Sequence, residues 1–173
     1  MEKHILSVLV DNHAGVLMRV AGLFSRRGFN IDSLAVGETQ DEEVSRITII
    51  TCCDQRELDQ VVSQLEKLVC VRGVQVLPRD AALCRELVLI KVKVNAAQRT
   101  DVMLIATAFR ARVLDIARES MTLELTGETT KISALISLMA DYGVLEVMRT
   151  GIIALERDAR TIYQNIEEDE ANG

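Results

Sequence analysis

The stretch Asp11-Asn12-His13-Ala14-Gly15 lies between an apolar, β-branched run and an amphipathic one, so it closes a strand and opens a helix. The leading N–H groups of a helix have no intrahelical acceptor and sit at the positive end of its dipole, where they can hold a carboxylate. Gly15 has no Cβ, so a ligand can approach the main chain there. Asn12 offers a carbonyl oxygen and an amide donor, which suits an ammonium beside an acid group. A free amino acid fits such a corner. The same residues also suit a plainer role, Asn12 as a helix cap and Gly15 as a turn residue, and spacing by itself favours that role. His13 has no identifiable Ser, Cys or carboxylate partner in the sequence and reads as an exposed loop histidine.

Other residue groups carry less chemistry. The cysteines at 52, 53, 70 and 84 and the histidines at 4 and 13 give neither a C-x-x-C pair nor a Cys/His zinc quartet, so reduced, mostly buried thiols are expected. Gly127-Glu128-Thr129-Thr130-Lys131 lacks the spacing of a phosphate-cradling loop and reads as a turn before a capped helix. Arg26 and Arg27 complement the dipole at the end of the first helix, with Gly28 as its stop. There is no dinucleotide fingerprint and no assignable pair of catalytic acids, so an autonomous enzyme is not expected.

The elements that position these residues follow from periodicity. Apolar residues at helical spacing recur at Leu17/Val20/Ala21/Phe24, Leu58/Val61/Val62/Leu65, Val102/Ile105/Ala106/Phe109 and Ile132/Leu135/Ile136/Met139. Strand patterns run over 5–10, 29–36, 46–52, 71–77, 87–94, 112–117, 121–126 and 145–155. The order is β-α-β-β-α-β, twice, which predicts an α+β chain of two ferredoxin-like domains. Pro78, the only proline, marks the boundary: a first domain over 1–77, a linker over 78–83, a second domain over 84–164 and an acidic, flexible tail over 165–173. Ile5 and Leu9 make the far side of the first strand apolar as well, so something must cover it. Domains of about 80 residues bury only roughly 60% of their unfolded surface, and pairing with a second chain is the expected remedy.

Over 173 residues, 49% apolar and 27% charged positions exclude a disordered chain. No uncharged apolar run is long enough to span a membrane and no secretory leader is apparent, so a cytoplasmic protein is expected, with no membrane partner. Twenty basic against 26 acidic side chains and 3% aromatic residues fit nucleic-acid binding poorly.

The first repeat resembles an ACT domain, a βαββαβ module that binds amino acids. More narrowly, LSVLVDNHAGVLMRVAGLFSRRGFNIDSLAVGET (6–39) is similar to the amino-terminal signature of the regulatory small subunits of acetolactate synthase, also called acetohydroxyacid synthase. SRITII (45–50), LEKLVCV (65–71), RELVLIKV (85–92), TGETTKISALI (126–136) and VLEVMRTGIIALER (144–157) extend the likeness over almost the whole chain. The resemblance implies a non-catalytic regulatory subunit of a transferase. It would bind and activate a large catalytic subunit and confer feedback inhibition by valine in branched-chain amino-acid biosynthesis. Thiamine diphosphate, magnesium and, optionally, FAD would belong to that large subunit, with no cofactor on this chain.

The resemblance also implies a homodimer through the ACT domain, with valine between Asn12, Gly15, Val16 and Leu17 of one chain and Asn30 and Ile31 at a strand start of the other. Ala14 stands where many ACT domains have proline. The second domain has Asn95-Ala96-Ala97-Gln98 at the matching place, without glycine, and is expected to serve assembly or transmission. The alternative is a stand-alone ACT-type amino-acid sensor acting on another enzyme or a transcription factor.

Overall fold

The computed structural model describes residues 2–164 and 166. In chain order the elements are β1 (Glu2–Asp11), α1 (Val16–Arg27), β2 (Ser33–Glu38), β3 (Val44–Cys53), α2 (Gln55–Leu65), β4 (Val71–Leu77), β5 (Ala82–Lys93), α3 (Arg99–Phe109), β6 (Arg112–Ile116), β7 (Ser120–Gly127), α4 (Thr129–Ala140), β8 (Val144–Arg149) and β9 (Ile153–Glu156). The expected β-α-β-β-α-β repeat is present twice. The chain forms two compact units, one running to Leu83 and resuming at Ile152, the other spanning Cys84–Gly151.

In the first unit the sheet order is β2-β3-β1-β4, antiparallel throughout. The strand period of two sends Leu6, Val8 and Val10 of β1 and Ile47 and Ile49 of β3 to the helix side. There they meet Val16, Val20, Leu23 and Phe24 of α1 and Leu58, Val61 and Leu65 of α2. α2 starts on a complete capping box: Asp54 accepts from the Glu57 N–H at 2.8 Å and Glu57 accepts from the Asp54 N–H at 2.9 Å. α1 ends at Gly28, whose φ of +75° suits only glycine well, and the chain turns so that Phe29 packs edge-on against Phe24.

The far side of this sheet is covered by the chain itself. Leu9 and Val44 form a cluster with Ile162, packed by Tyr163 and Ile166, and Ala154 is buried nearby in β9. This corrects the domain assignment: 152–164 belongs with the first unit, because Leu9 and Val44 need an apolar cover and this segment supplies it through Ile162. The expected strand over 145–155 is two, β8 and β9, broken at Gly151 with φ +81°. The linker over 78–83 shrinks to a turn closed by the Ala81 N–H on the Pro78 carbonyl at 3.1 Å, and β5 starts at Ala82, which is buried. Of the tail over 165–173, Ile166 is half-buried, and the rest lies outside the described residues.

In the second unit the order is β6-β7-β5-β8. Val88, Ile90 and Val92 face α3 and α4 residues Val102, Ala106, Ile132, Leu135 and Met139. Lys91 and Lys93 lie on the other face, as the alternation predicts. Glu86, 4% exposed, is held by Arg149 through two hydrogen bonds of 2.8 and 2.6 Å, and that bonding keeps the guanidinium charged and its pKa raised.

Candidate functional site

The loop between β1 and α1 is anchored on both sides. Asp11 accepts a 2.7 Å hydrogen bond from Arg72 Nε of β4, and its own N–H donates to the Cys70 carbonyl at 2.9 Å. Hydrogen bonding to Asp11 raises the Arg72 pKa, burial opposes this, and the charge of Asp11 adds to it. Asn12 Nδ2 donates to the Glu42 carbonyl at 2.8 Å and to Glu38 at 3.2 Å, tying the loop to the β2–β3 hairpin. Arg72 is 61 positions from Asp11, so no local signal in the sequence could have shown these anchors.

On this base no side chain caps the helix start, although the Val16 N–H donates to the His13 carbonyl at 3.4 Å. Gly15, at φ +88°, is the N-cap of α1 with no side-chain cap, and the first turn carries no acidic residue. A Cβ built on Gly15 would meet nothing within 4 Å. Asn12 therefore does not cap the helix, while Gly15 is a turn residue at positive φ, so the plainer reading of this loop fails for Asn12 and holds for Gly15. Its amide is spent on the hairpin, and among the described residues nothing donates to its oxygen. His13 is exposed, with Nδ1 3.1 Å from the Ala14 carbonyl.

Val16 is buried in the core, whereas Leu17 is 43% exposed although periodicity placed it on the buried stripe. Asn30 and Ile31 do not start β2; they lie in the connection before it, because Phe29 turns back onto α1 and pairing with β3 begins at Ser33. Asn30 is exposed and Ile31 packs partly on the core. Asn30 Nδ2 donates to Asp32 at 2.7 Å, and its carbonyl accepts from Thr51 Oγ1 at 2.8 Å. The two residue groups thus sit at opposite ends of α1, whose 12 residues span about 18 Å. One protomer does not bring them together.

The matching loop of the second unit differs. Asn95 Oδ1 accepts from the N–H groups of Ala97 and Gln98, each at 3.0 Å, which tightens the loop before α3, whereas the first turn of α3, like that of α1, has no side-chain cap. At α4, Glu128 precedes the helix without a side-chain cap, against the expectation of a capped start. Among the cysteines, Cys53 and Cys70 are buried while Cys52 and Cys84 are half-buried. Burial, and then Glu57 and Asp54, push the Cys53 thiol pKa up. Among the described residues no group of three or more His, Cys, Asp or Glu is placed to hold a metal ion, and no helix is long and apolar enough to cross a membrane.

Two βαββαβ modules, the first with an uncapped, anchored helix start, define a tandem of ACT type. Residues 6–73 match the small-subunit-like ACT domain of acetohydroxyacid synthase, and residues 85–158 match the small subunit of acetolactate synthase. The acetolactate synthase small subunit of Mycobacterium leprae is 48% identical over 92% of this chain and 94% of its own length. A probable acetolactate synthase small subunit of Archaeoglobus fulgidus is 44% identical over 90% of this chain and 97% of its own. The crystal structure of the Thermotoga maritima small subunit superposes with a TM-score of 0.87 at 36% identity, covering 92% of this chain and all of that one. The chain belongs to the acetolactate synthase small-subunit family.

Proposed function

We propose that this chain is the regulatory subunit of a cytoplasmic acetolactate synthase. It binds the large catalytic subunit, raises its activity, and makes it sensitive to valine. The chemistry, with thiamine diphosphate, magnesium and any FAD, belongs to the large subunit. The family match over both units supports the partner. The observation that carries the effector site is the uncapped start of α1 at Gly15.

In this reading the α1 amides take the carboxylate of valine. The oxygens of Asn12 and Asn30 are left available for its ammonium because both amide nitrogens are already donating. Leu17 and Ile31 supply apolar surface for the branched side chain, with Val16 buried in the core beneath them. The separation of Asn12 and Asn30 along α1 favours a pocket shared by two copies of the first unit, and the exposed Leu17, Met18 and Val36 suit such pairing. A ligand that binds the paired form better shifts the assembly by that difference, and about 1 to 3 kcal/mol gives a 5- to 150-fold effect. The second unit, whose matching loop Asn95-Ala96-Ala97-Gln98 has no glycine, serves assembly or transmission.

The test is pyruvate condensation by the purified large subunit, with and without this chain, across a valine titration. Activation together with valine inhibition is expected. A large subunit indifferent to this chain would sink the reading in favour of a sensor for another target.

A further inference from the structure

The far face of the first sheet holds a feature that the helix-side site does not use. In register across the strands, Leu9 pairs with Arg46, and Ser7 pairs with Thr48 on one side and Gln75 on the other, so these side chains share the face away from α1 and α2. Residues 154–156, 158 and 160–163 roof part of it and leave a partly open cavity of about 480 Å³, inside the usual range for small-molecule sites. Two polar groups that line it have no partner among the described residues. Ser7, 1% exposed, leaves Oγ buried without a hydrogen bond, and Arg46 leaves Nε buried in the same condition. Arg46 also has no ion pair among the described residues, whereas the buried Glu86 is matched by Arg149; Arg99 Nε is likewise buried without a partner, but Arg99 Nη2 donates to the Ala117 and Arg118 carbonyls.

Arg46 is half-buried with its Nε fully covered, so part of the guanidinium gives up water without gaining a partner, and that burial lowers the Arg46 pKa, with Tyr163 opposing. The simplest way to recover that cost is an anion in the cavity. The lining narrows its class. Arg46 and Arg160 contribute two positive charges against the three carboxylates of Glu38, Glu156 and Asp158, so the lining as a whole is net negative: an anion is held only directly against Arg46, and each further charge on it is repelled. Leu77, Ala154 and Ile162 supply an apolar wall for a short hydrocarbon body. Glu156 is already engaged by Gln75, which closes that side.

We propose that the far face of the first unit is a second binding site, in which Arg46 and Ser7 hold the carboxylate of a small organic monoacid beneath the returning segment 154–163. The site stands independently of the reading given for the loop at Gly15.

Isobutyrate is the probe, with isobutyramide as its uncharged counterpart and inorganic phosphate as the multiply charged one, each added to the full chain. The expected result is that isobutyrate moves the Arg46 Nε–Hε NMR resonance and raises the melting temperature, while the other two do neither. Arg46→Met should weaken isobutyrate by at least about tenfold, because a charge-assisted pair is lost. Ser7→Ala should weaken it less, and Gly15→Asp should leave it unchanged. The NMR measurement decides the question in the unaltered protein even if Arg46→Met folds poorly. No movement of the Arg46 resonance up to about 10 mM isobutyrate, weaker than any ordinary metabolite site, would overturn the proposal. So would an equal response to isobutyramide or phosphate, or a response abolished by Gly15→Asp but kept in Arg46→Met.

Discussion

At the scale of single residues, Gly15 and Cys53 make opposite kinds of prediction. Nothing surrounds Gly15, so Gly15→Asp adds no clash and costs only the strain of a left-handed backbone, about 1 to 2 kcal/mol. The new carboxylate occupies the position assigned to that of valine. Valine should raise the melting temperature of the unaltered protein and leave that of the folded variant unchanged, as scanning calorimetry would show. Cys53 acts through its proton. Its folded pKa lies above its unfolded one, so the stability it contributes is complete below about pH 8.5 and is lost as pH rises through the folded value. Urea unfolding at pH 7 and pH 10 should show a smaller alkaline loss in Cys53→Ala than in the unaltered chain. The sequence made Asn12 and Gly15 visible as a pair, but not which atoms of Asn12 are spent, since Glu38 and Glu42 reach it only through the folded hairpin.

At the scale of elements, periodicity was enough to place the four helices and nearly all the strands, because each buries one face against its own unit. It failed where a local pattern is ambiguous. The apolar run over 145–155 reads as one long strand, yet Gly151 breaks it and sends β9 elsewhere. Likewise 29–31 has strand composition, but Phe29 is better buried against Phe24 than in a ladder. The returning segment gave almost no sign of itself, since Ile162, Tyr163 and Ile166 span barely one helical turn. The clue lay in β1, whose second apolar side asked for a cover without naming it. Ile162 is 1% exposed in that cover, so Ile162→Ala should cost about 2 to 4 kcal/mol. Hydrogen exchange should then accelerate in β1 and β3 of the first unit and remain unchanged in β7 of the second.

At the scale of the whole molecule, the first unit is not a continuous stretch of chain. Residues 1–83 contain all four strands and both helices of an ACT-type module, yet lack Ile162, which packs with Leu9 and Val44, and the buried Ala154. That fragment, made alone, should bind a hydrophobic dye and self-associate, whereas the chain carried through residue 166 should not; fluorescence and light scattering would separate them. A fragment as soluble and dye-silent as the full chain would refute the cover. The discontinuity also bears on how the protein is made. A ribosome adding roughly 5 to 20 residues per second needs several seconds to pass from position 83 to position 152. Through that interval the nascent first module is exposed with its back unsealed, open to chaperones and proteases, and only a product translated past the second module can shut it.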